Sequence, residues 1–489
     1  MPNRRNPSRA AILLAGAALL GLAASGSAQS IRTARAITAA EAKQGAEAHP
    51  QLLQEFGGAM TGPHAQYVEQ VGKNIAVQSG LSGARDAFTV SLLNSSVNNA
   101  LAIPGGYIYT TRQLVALMNN EAELAGVLGH EVGHVAARHA QRRQKENTKN
   151  SIIGLLGTVL TGAVLGNSQV GQLLGRGIQQ GTQMLTLKFS RSQELEADRL
   201  GIQYLRSAGY DPRAMSTVLQ SLASQNALDA SLQGRNDARV PEWASTHPDP
   251  ASRVRNAATL AGNVAGNTNR DTFLARIDGL TYGDDPAQGV IEGRQFIHPE
   301  LRLSFTAPAG FYMVNGTRAV SINGQSGQAQ LTTARYGGSL ESYVRQAFAA
   351  IDQQLAPQTL QRTTVNGLPA MYGVARVNSG GRQVDVVVFA YEFGNDQAYH
   401  FAALTQAGRS AVFSPMFNSM RRISTSEAAQ VIPRVIDVVT VGRNDTVQSL
   451  AARMAYSDAR EQRFRVLNGL TANQTLTAGQ KVKLVVRGR

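Results

Sequence analysis

At 489 residues the chain exceeds what a single hydrophobic core supports, and a prior of roughly 150 residues per domain points to about three domains. Hydrophobic and charged shares of 43% and 16% exclude a disordered or fibrous chain, while 48 glycines and 6% aromatics mark it as rich in small residues. The net charge of +14 is dispersed, so no nucleic-acid partner is expected, and the lack of cysteine excludes a disulfide scaffold, a cysteine-anchored lipoprotein and any thiolate chemistry. Any metal must sit on His, Asp or Glu.

The amino terminus runs from a basic stretch, MPNRRNPSRA, through the apolar AILLAGAALLGLAA to the small residues SGSAQS. That order describes a secretory signal at 1–28 cleaved after Ala28, and the apolar run is shorter than the roughly 20 residues of a spanning helix. Residues 33–265 read mainly as helices, interrupted by a strand-rich stretch near AFTVSLLNSSVNNALAIPGGYIYTT. Within it, ALAIPGGYIYTT reads as one strand broken by Pro104, Gly105 and Gly106, which favours a sheet edge or a kink.

The segment NNEAELAGVLGHEVGHVAARHAQRRQ reads as one helix, capped by Asn120 with Glu123 three residues on. His130 and His134 then lie one turn apart, with their imidazoles on one face and able to hold one ion. Glu131, about 100° around the axis, reaches a metal-bound water without ligating the metal. The alternative is a pair of solvated histidines on an amphipathic helix, but the intervening and flanking residues are small or apolar. His139, about 180° from His130 on a continuous helix, is expected to be exposed.

The next apolar run, SIIGLLGTVLTGAVLG at 151–166, contains four glycines and stops short of a membrane span. It suits either a glycine-hinged lid beside the site, touching membrane or client, or a core hairpin. A second helix, SRSQELEADRLGIQYLRSAGYDP, ends near Gly209. It offers Glu194 as the third ligand that a catalytic zinc requires, and Asp198 one turn later to fix a ligand imidazole's tautomer. Ala197 and Gly201 would let this helix approach the first closely. Without the first motif, Glu194, Glu196 and Asp198 would read as a solvated acidic face balanced by Arg191 and Arg199.

From 272 to 425 the pattern changes to alternating apolar and polar residues, as in RQVDVVVFAYEF, which predicts an α+β domain with a mixed sheet and one helix near SLESYVRQAFAAIDQQL. The unit at 435–489 resembles the LysM fold, a small βααβ module, over most of its length. That resemblance implies tethering to the sugar backbone of peptidoglycan; packing by a degenerate module is the alternative. The expected fold class is α+β and multidomain.

NNALAIPGGYIYTT, HEVGH, FSRSQELEADRLG and THPDPASR occur in that order across most of residues 40–260. Together they resemble the HtpX and CAAX-prenyl protease family of zinc peptidases, and more closely its soluble periplasmic branch, the BepA type. The resemblance implies a mainly helical zincin-type (gluzincin) domain with a small edge-strand sheet and one Zn2+ per chain. It makes His130, His134 and Glu194 the zinc ligands, Glu131 the general base on zinc-bound water, and Asp198 a partner of a ligand histidine. It also places His247 and Arg253 at the active site, His247 as an oxyanion donor or as a fourth ligand that shuts the enzyme. The broken strand becomes the edge that aligns an extended peptide, with Asn98, Asn99 and Ala100 beside Pro104, Gly105 and Gly106; a purely structural strand is the alternative.

The implied function is a periplasmic zinc endopeptidase, membrane- or wall-associated, acting on unfolded or misassembled envelope proteins, with outer-membrane assembly components as partners. One rival is a non-catalytic, peptidoglycan-tethered chaperone with a structural metal. The other, a membrane-embedded prenyl-type protease, lacks any full-length apolar span outside the signal.

Overall fold

The computed structural model describes residues 34–146, 189–233, 247, 250–379 and 382–488. The expected signal and the apolar run 151–166 lie outside the described residues. Among those described, no helix is long and apolar enough to cross a membrane.

Two helices, α1 (Ala39–Glu55) and α2 (Pro63–Ala76), precede a three-stranded sheet of β1 (Thr89–Leu93), β2 (Ala100–Ile103) and β3 (Tyr107–Thr111). The strand order is β1-β3-β2, with β1 parallel and β2 antiparallel to β3. The stretch expected to be one broken strand is therefore a hairpin. Gly105 and Gly106 have φ of 92° and 86°, and a Cβ would meet Glu41 O at 2.6 Å or Ala87 O at 2.4 Å, so this turn admits only glycine. β2 lies at the sheet's edge, as its Pro–Gly flank suggested.

After α3 (Arg112–Leu117), helix α4 (Glu121–Ala136) starts where predicted: Asn120 Oδ1 accepts from Glu123 N at 2.9 Å. Every residue from Glu121 to His134 is buried. The expected unbroken continuation through Gln144 does not occur. Ala137 caps α4, Arg138 takes φ of 51°, and α5 (His139–Glu146) sets off anew. The exposed position expected of His139 is thereby overturned, since the break turns its side chain inward and leaves it 0% exposed.

Helix α6 (Arg191–Ser207), with a capping box of Ser190 and Gln193, lies against α4 across small residues. A Cβ on Gly133 would lie 3.2 Å from Ala197 O, and one on Gly201 would lie 3.1 Å from His130 N. Gly209, with φ of 78°, ends this connection before α7 (Ala214–Leu232), and α8 (Pro250–Ala261) packs on both α6 and α7. Helix α9 (Arg270–Ile277) buries Phe273, Leu274 and Ile277 in the same core.

Beyond β4 (Thr281–Tyr282), two sheets form the middle region. One has four strands, β5 (Val290–Glu292), β6 (Gln295–His298), β7 (Leu303–Thr306) and a short strand at Arg421–Arg422. The other has seven, spanning Phe311–Gln406, with the helix Leu340–Ile351 on one face. Phe296 and Phe305 of the smaller sheet join Phe389, Tyr391 and Phe401 of the larger in one apolar core. Every pairing within both sheets is antiparallel, which corrects the expected mixed sheet. Most of these neighbours are consecutive strands joined by hairpins, which are too short for the crossovers that parallel neighbours need.

The last unit follows the expected order of strand, two helices and strand: Arg434–Thr440, Val447–Ala452, Arg460–Leu467 and Lys481–Arg487. Its two strands pair antiparallel and are extended by β4. Ile436, Leu450, Phe464 and Leu484 join the core that contains Leu124, Leu219 and Phe273. Lys483, 0% exposed, donates to Ala116 O at 2.8 Å, Leu117 O at 3.2 Å and Met118 O. Its ammonium thereby satisfies carbonyls that end α3.

Two outcomes follow from this packing. Gly201→Ala should lower stability by about 1–3 kcal/mol in urea unfolding, because the His130 backbone gives no room; an unchanged midpoint would contradict the tight approach. Burial pulls the Lys483 pKa down to about 7, the Glu123 carboxylate opposing. The folded chain then binds fewer protons than the unfolded one from about pH 7 to about pH 10.4, so stability rises with pH there, by up to about 1.4 kcal/mol per pH unit. Urea midpoints at pH 7 and pH 9 should show that slope in wild type and its loss in Lys483→Met.

Candidate metal centre

Helix α4 presents His130 and His134 on one face, one turn apart, and their Nε2 atoms come within 3.0 Å of each other. Glu194, in the first turn of α6, sends Oε2 to 3.6 Å from His130 Nε2 and Oε1 to 3.4 Å from His134 Nε2. His247, just ahead of α8, brings Nδ1 to 3.3 Å from His130 Nε2 and 3.1 Å from Glu194 Oε2. All four side chains are buried, and one donor atom from each lies within 4.8 Å of the others.

The donor set fits a metal ion. Four donors at about 2.0–2.1 Å from a central ion in a tetrahedron lie roughly 3.3–3.4 Å apart, which is the spacing here. Two imidazole nitrogens facing each other at 3.0 Å cannot both carry a proton, and a cation resolves the clash of their lone pairs. His130, His134 and Glu194 could hold such an ion, with His247 in reach as a fourth donor.

Behind the donors, Asp198 Oδ1 lies 2.9 Å from His130 Nδ1. Arg253, 1% exposed on α8, donates from Nη2 to Asp198 Oδ1 at 2.6 Å and from Nε to Oδ2 at 2.8 Å, while Nη1 lies 2.6 Å from Glu194 Oε2. One buried guanidinium thus ties together two carboxylates of α6, Glu194 and Asp198. Phe189 stacks on His134 with ring centroids 3.8 Å apart.

Burial alone would push every carboxyl here upward. For Glu194 the charge and hydrogen bond of His247, then Arg253, outweigh burial and hold it below the usual range. Arg253 and His130 outweigh burial at Asp198 and hold it well below that range. At Glu131 burial prevails over the opposing histidines, and its pKa is raised. Glu131 Oε1 has no hydrogen-bond partner among the described residues, and His247 Nε2 lies 3.5 Å away. Burial, then His130 and His247, push His134 well below its ordinary value, whereas Glu194 and Glu131 outweigh burial and raise His247. Two carboxylates are thus kept ionised beside a third with raised proton affinity, a division that suits acid–base work.

The structure therefore brings Glu131, His130, His134, Glu194, Asp198, His247 and Arg253 together. It does not bring Pro104, Gly105 and Gly106 to the cluster. They form the β2–β3 turn, which packs against α1. β2 itself packs against α4, preceded by Asn98 and Asn99, whose Oδ1 atoms are buried without partners among the described residues. Residues missed from sequence are Phe189, His139 and Glu196: His139 Nδ1 lies 2.8 Å from His134 Nδ1, and its Nε2 lies 3.2 Å from Glu196 Oε2. Only their nearness to the two motifs could have flagged them.

Residues 63–261 match the model of Peptidase family M48. The chain is 33% identical over 217 residues to the beta-barrel assembly-enhancing protease of Escherichia coli O157:H7, covering 43% of this chain and 42% of that one. It is 34% identical over 228 residues to the protein of the same name from Yersinia pestis, covering 45% and 44%. It is also 29% identical over 219 residues to the mitochondrial metalloendopeptidase OMA1 of Schizosaccharomyces pombe, covering 44% and 59%. The chain thus spans less than half the length of the two bacterial relatives. A solved structure from Bacteroides thetaiotaomicron aligns with 41% of this chain and 88% of its own, at 11% identity and a TM-score of 0.24, too low to carry an argument. The segment that holds the whole constellation, with its buried His, His and Glu donors, is therefore similar in sequence to Peptidase family M48.

Proposed function

We propose that this chain is a zinc-dependent endopeptidase that hydrolyses unfolded or misassembled proteins of the cell envelope. The observation that carries this reading is the buried Glu131 carboxyl, with raised proton affinity and no hydrogen-bond partner among the described residues, beside the converging His130, His134 and Glu194. A structural metal site has no use for such a carboxyl, which counts against a non-catalytic chaperone.

When bound, zinc supplies Lewis-acid polarisation of a carbonyl and acidifies water. His130, His134 and Glu194 would hold the ion, and Asp198 with Arg253 orient His130. Glu131 takes the proton of the attacking water at its carboxylate and delivers it to the leaving amine. Burial of these groups excludes bulk water and strengthens each charge interaction. His247 acts as the switch: with Nδ1 among the donors and Nε2 toward Glu131, its position supports a closed state that swings open for substrate.

The edge strand β2, entered through Asn98, Asn99 and Ala100, pairs with an extended substrate through its main chain, which selects unfolded segments over particular sequences. Pro104, Gly105 and Gly106 serve this strand by shaping its turn. A periplasmic location, and outer-membrane assembly components as partners, rest on the signal-like amino terminus and on the relatives named for beta-barrel assembly. Of the two roles for the LysM-like module, its core shared with the catalytic region favours packing over glycan tethering.

Glu131→Gln should lower casein hydrolysis by about 100-fold or more while bound zinc stays at one per chain; wild-type turnover in that variant would remove Glu131 as the base. His247→Ala should raise turnover by about tenfold, equal to about 1.4 kcal/mol, and a fall instead would assign His247 to catalysis.

A further inference from the structure

The two ring nitrogens of His134 face different surroundings. Nε2 turns toward the donors, 3.0 Å from His130 Nε2 and 3.4 Å from Glu194 Oε1. Nδ1 turns the other way, 2.8 Å from His139 Nδ1. His139 Nε2 lies 3.2 Å from Glu196 Oε2, which accepts from Arg142 Nη2 at 2.6 Å. His134 and His139 are 3% and 0% exposed, so water does not decide which nitrogen holds a proton.

Proton positions along this row are interdependent. A ring nitrogen that binds a metal carries no proton, so His134 must then be protonated on Nδ1 and donate to His139 Nδ1. That leaves the His139 proton on Nε2, where it donates to the Glu196 carboxylate. The reverse arrangement has His139 donate from Nδ1 to His134 Nδ1, which puts the His134 proton on Nε2, in the way of an ion. It also sets the bare lone pair of His139 Nε2 against a carboxylate. Only the first arrangement satisfies every contact.

We propose that His139 and Glu196 are positioning residues that lock His134 in the tautomer able to bind the metal. The inference rests on the reading of this cluster as a metal centre. His130 is oriented by Asp198 directly, whereas His134 is oriented by a carboxylate acting through a second imidazole. The relay exists because α4 breaks at Ala137 and Arg138; on a continuous helix His139 would point away.

The test uses the full chain stripped of metal, with zinc affinity read by competition against a chromogenic chelator and metal-free unfolding temperature read in parallel. His139→Leu should weaken zinc binding by about 10- to 100-fold. His139→Asn, whose side-chain oxygen can accept from His134 Nδ1, should recover most of that loss. Glu196→Ala should weaken binding and Glu196→Gln, which keeps an acceptor, much less. The proposal is overturned if His139→Leu binds zinc as wild type does. It is equally overturned if the Leu and Asn variants lose affinity alike while both metal-free proteins melt early, the signature of a packing role. Because zinc is measured without substrate, a wild-type chain that binds zinc but cleaves nothing would sink the peptidase reading and leave this one standing.

Discussion

The site depends on how closely α4 and α6 approach. Gly129 and Gly133 on one helix face Ala197 and Gly201 on the other, so the backbones meet with almost no side chain between them. That contact sets the distance from His130 and His134 to Glu194 and Asp198. Larger residues at these positions would spread the helices by more than a metal's coordination sphere tolerates. The helices also differ in burial: α4 is enclosed from Glu121 to His134, whereas α6 keeps one polar face toward solvent.

Enclosure makes the electrostatics demanding. Three carboxyls, a guanidinium and four imidazoles occupy one water-poor region, and isolated charges there would be prohibitively costly. The arrangement meets that cost by pairing. Arg253 serves both Asp198 and Glu194, and His139 is bounded by Glu196. Glu131 alone among these carboxyls is left with an oxygen lacking a hydrogen-bond partner among the described residues, so it retains part of its desolvation cost.

Much of this was legible in the residues. HEVGH put two imidazoles and a carboxyl on one turn, and Asn120 with Glu123 marked where that helix starts. Glu194, Asp198, Ala197 and Gly201 shared a helix face whose purpose became readable only beside the first motif. Other features were not legible, for identifiable reasons. Nothing in VAARHAQ announces that Arg138 adopts a left-handed backbone, and the inward position of His139 follows from that break. Pro104–Gly106 could equally have kinked one strand or turned a hairpin, and only the antiparallel pairing of β2 with β3 distinguishes them. The alternation of the middle region exposed its strands, and it also fits the antiparallel pairing found, since parallel strands buried on both faces read as near-continuous apolar runs.

Lys483 bears on folding cooperativity. Its contacts to Ala116, Leu117 and Met118 join residues 365 to 367 positions apart in sequence, immediately before the cap of the helix that carries both histidines. Closing so long a loop is entropically slow, so the start of α4 gains its full support only after distant parts of the chain have come together. The region similar to family M48 thus shares its hydrophobic core with the last unit of the chain. Excised from the rest, it would expose the apolar surface now covered by Ile436, Leu450 and Leu484, and the helix that carries both histidines would lose cooperativity with the remainder of the protein.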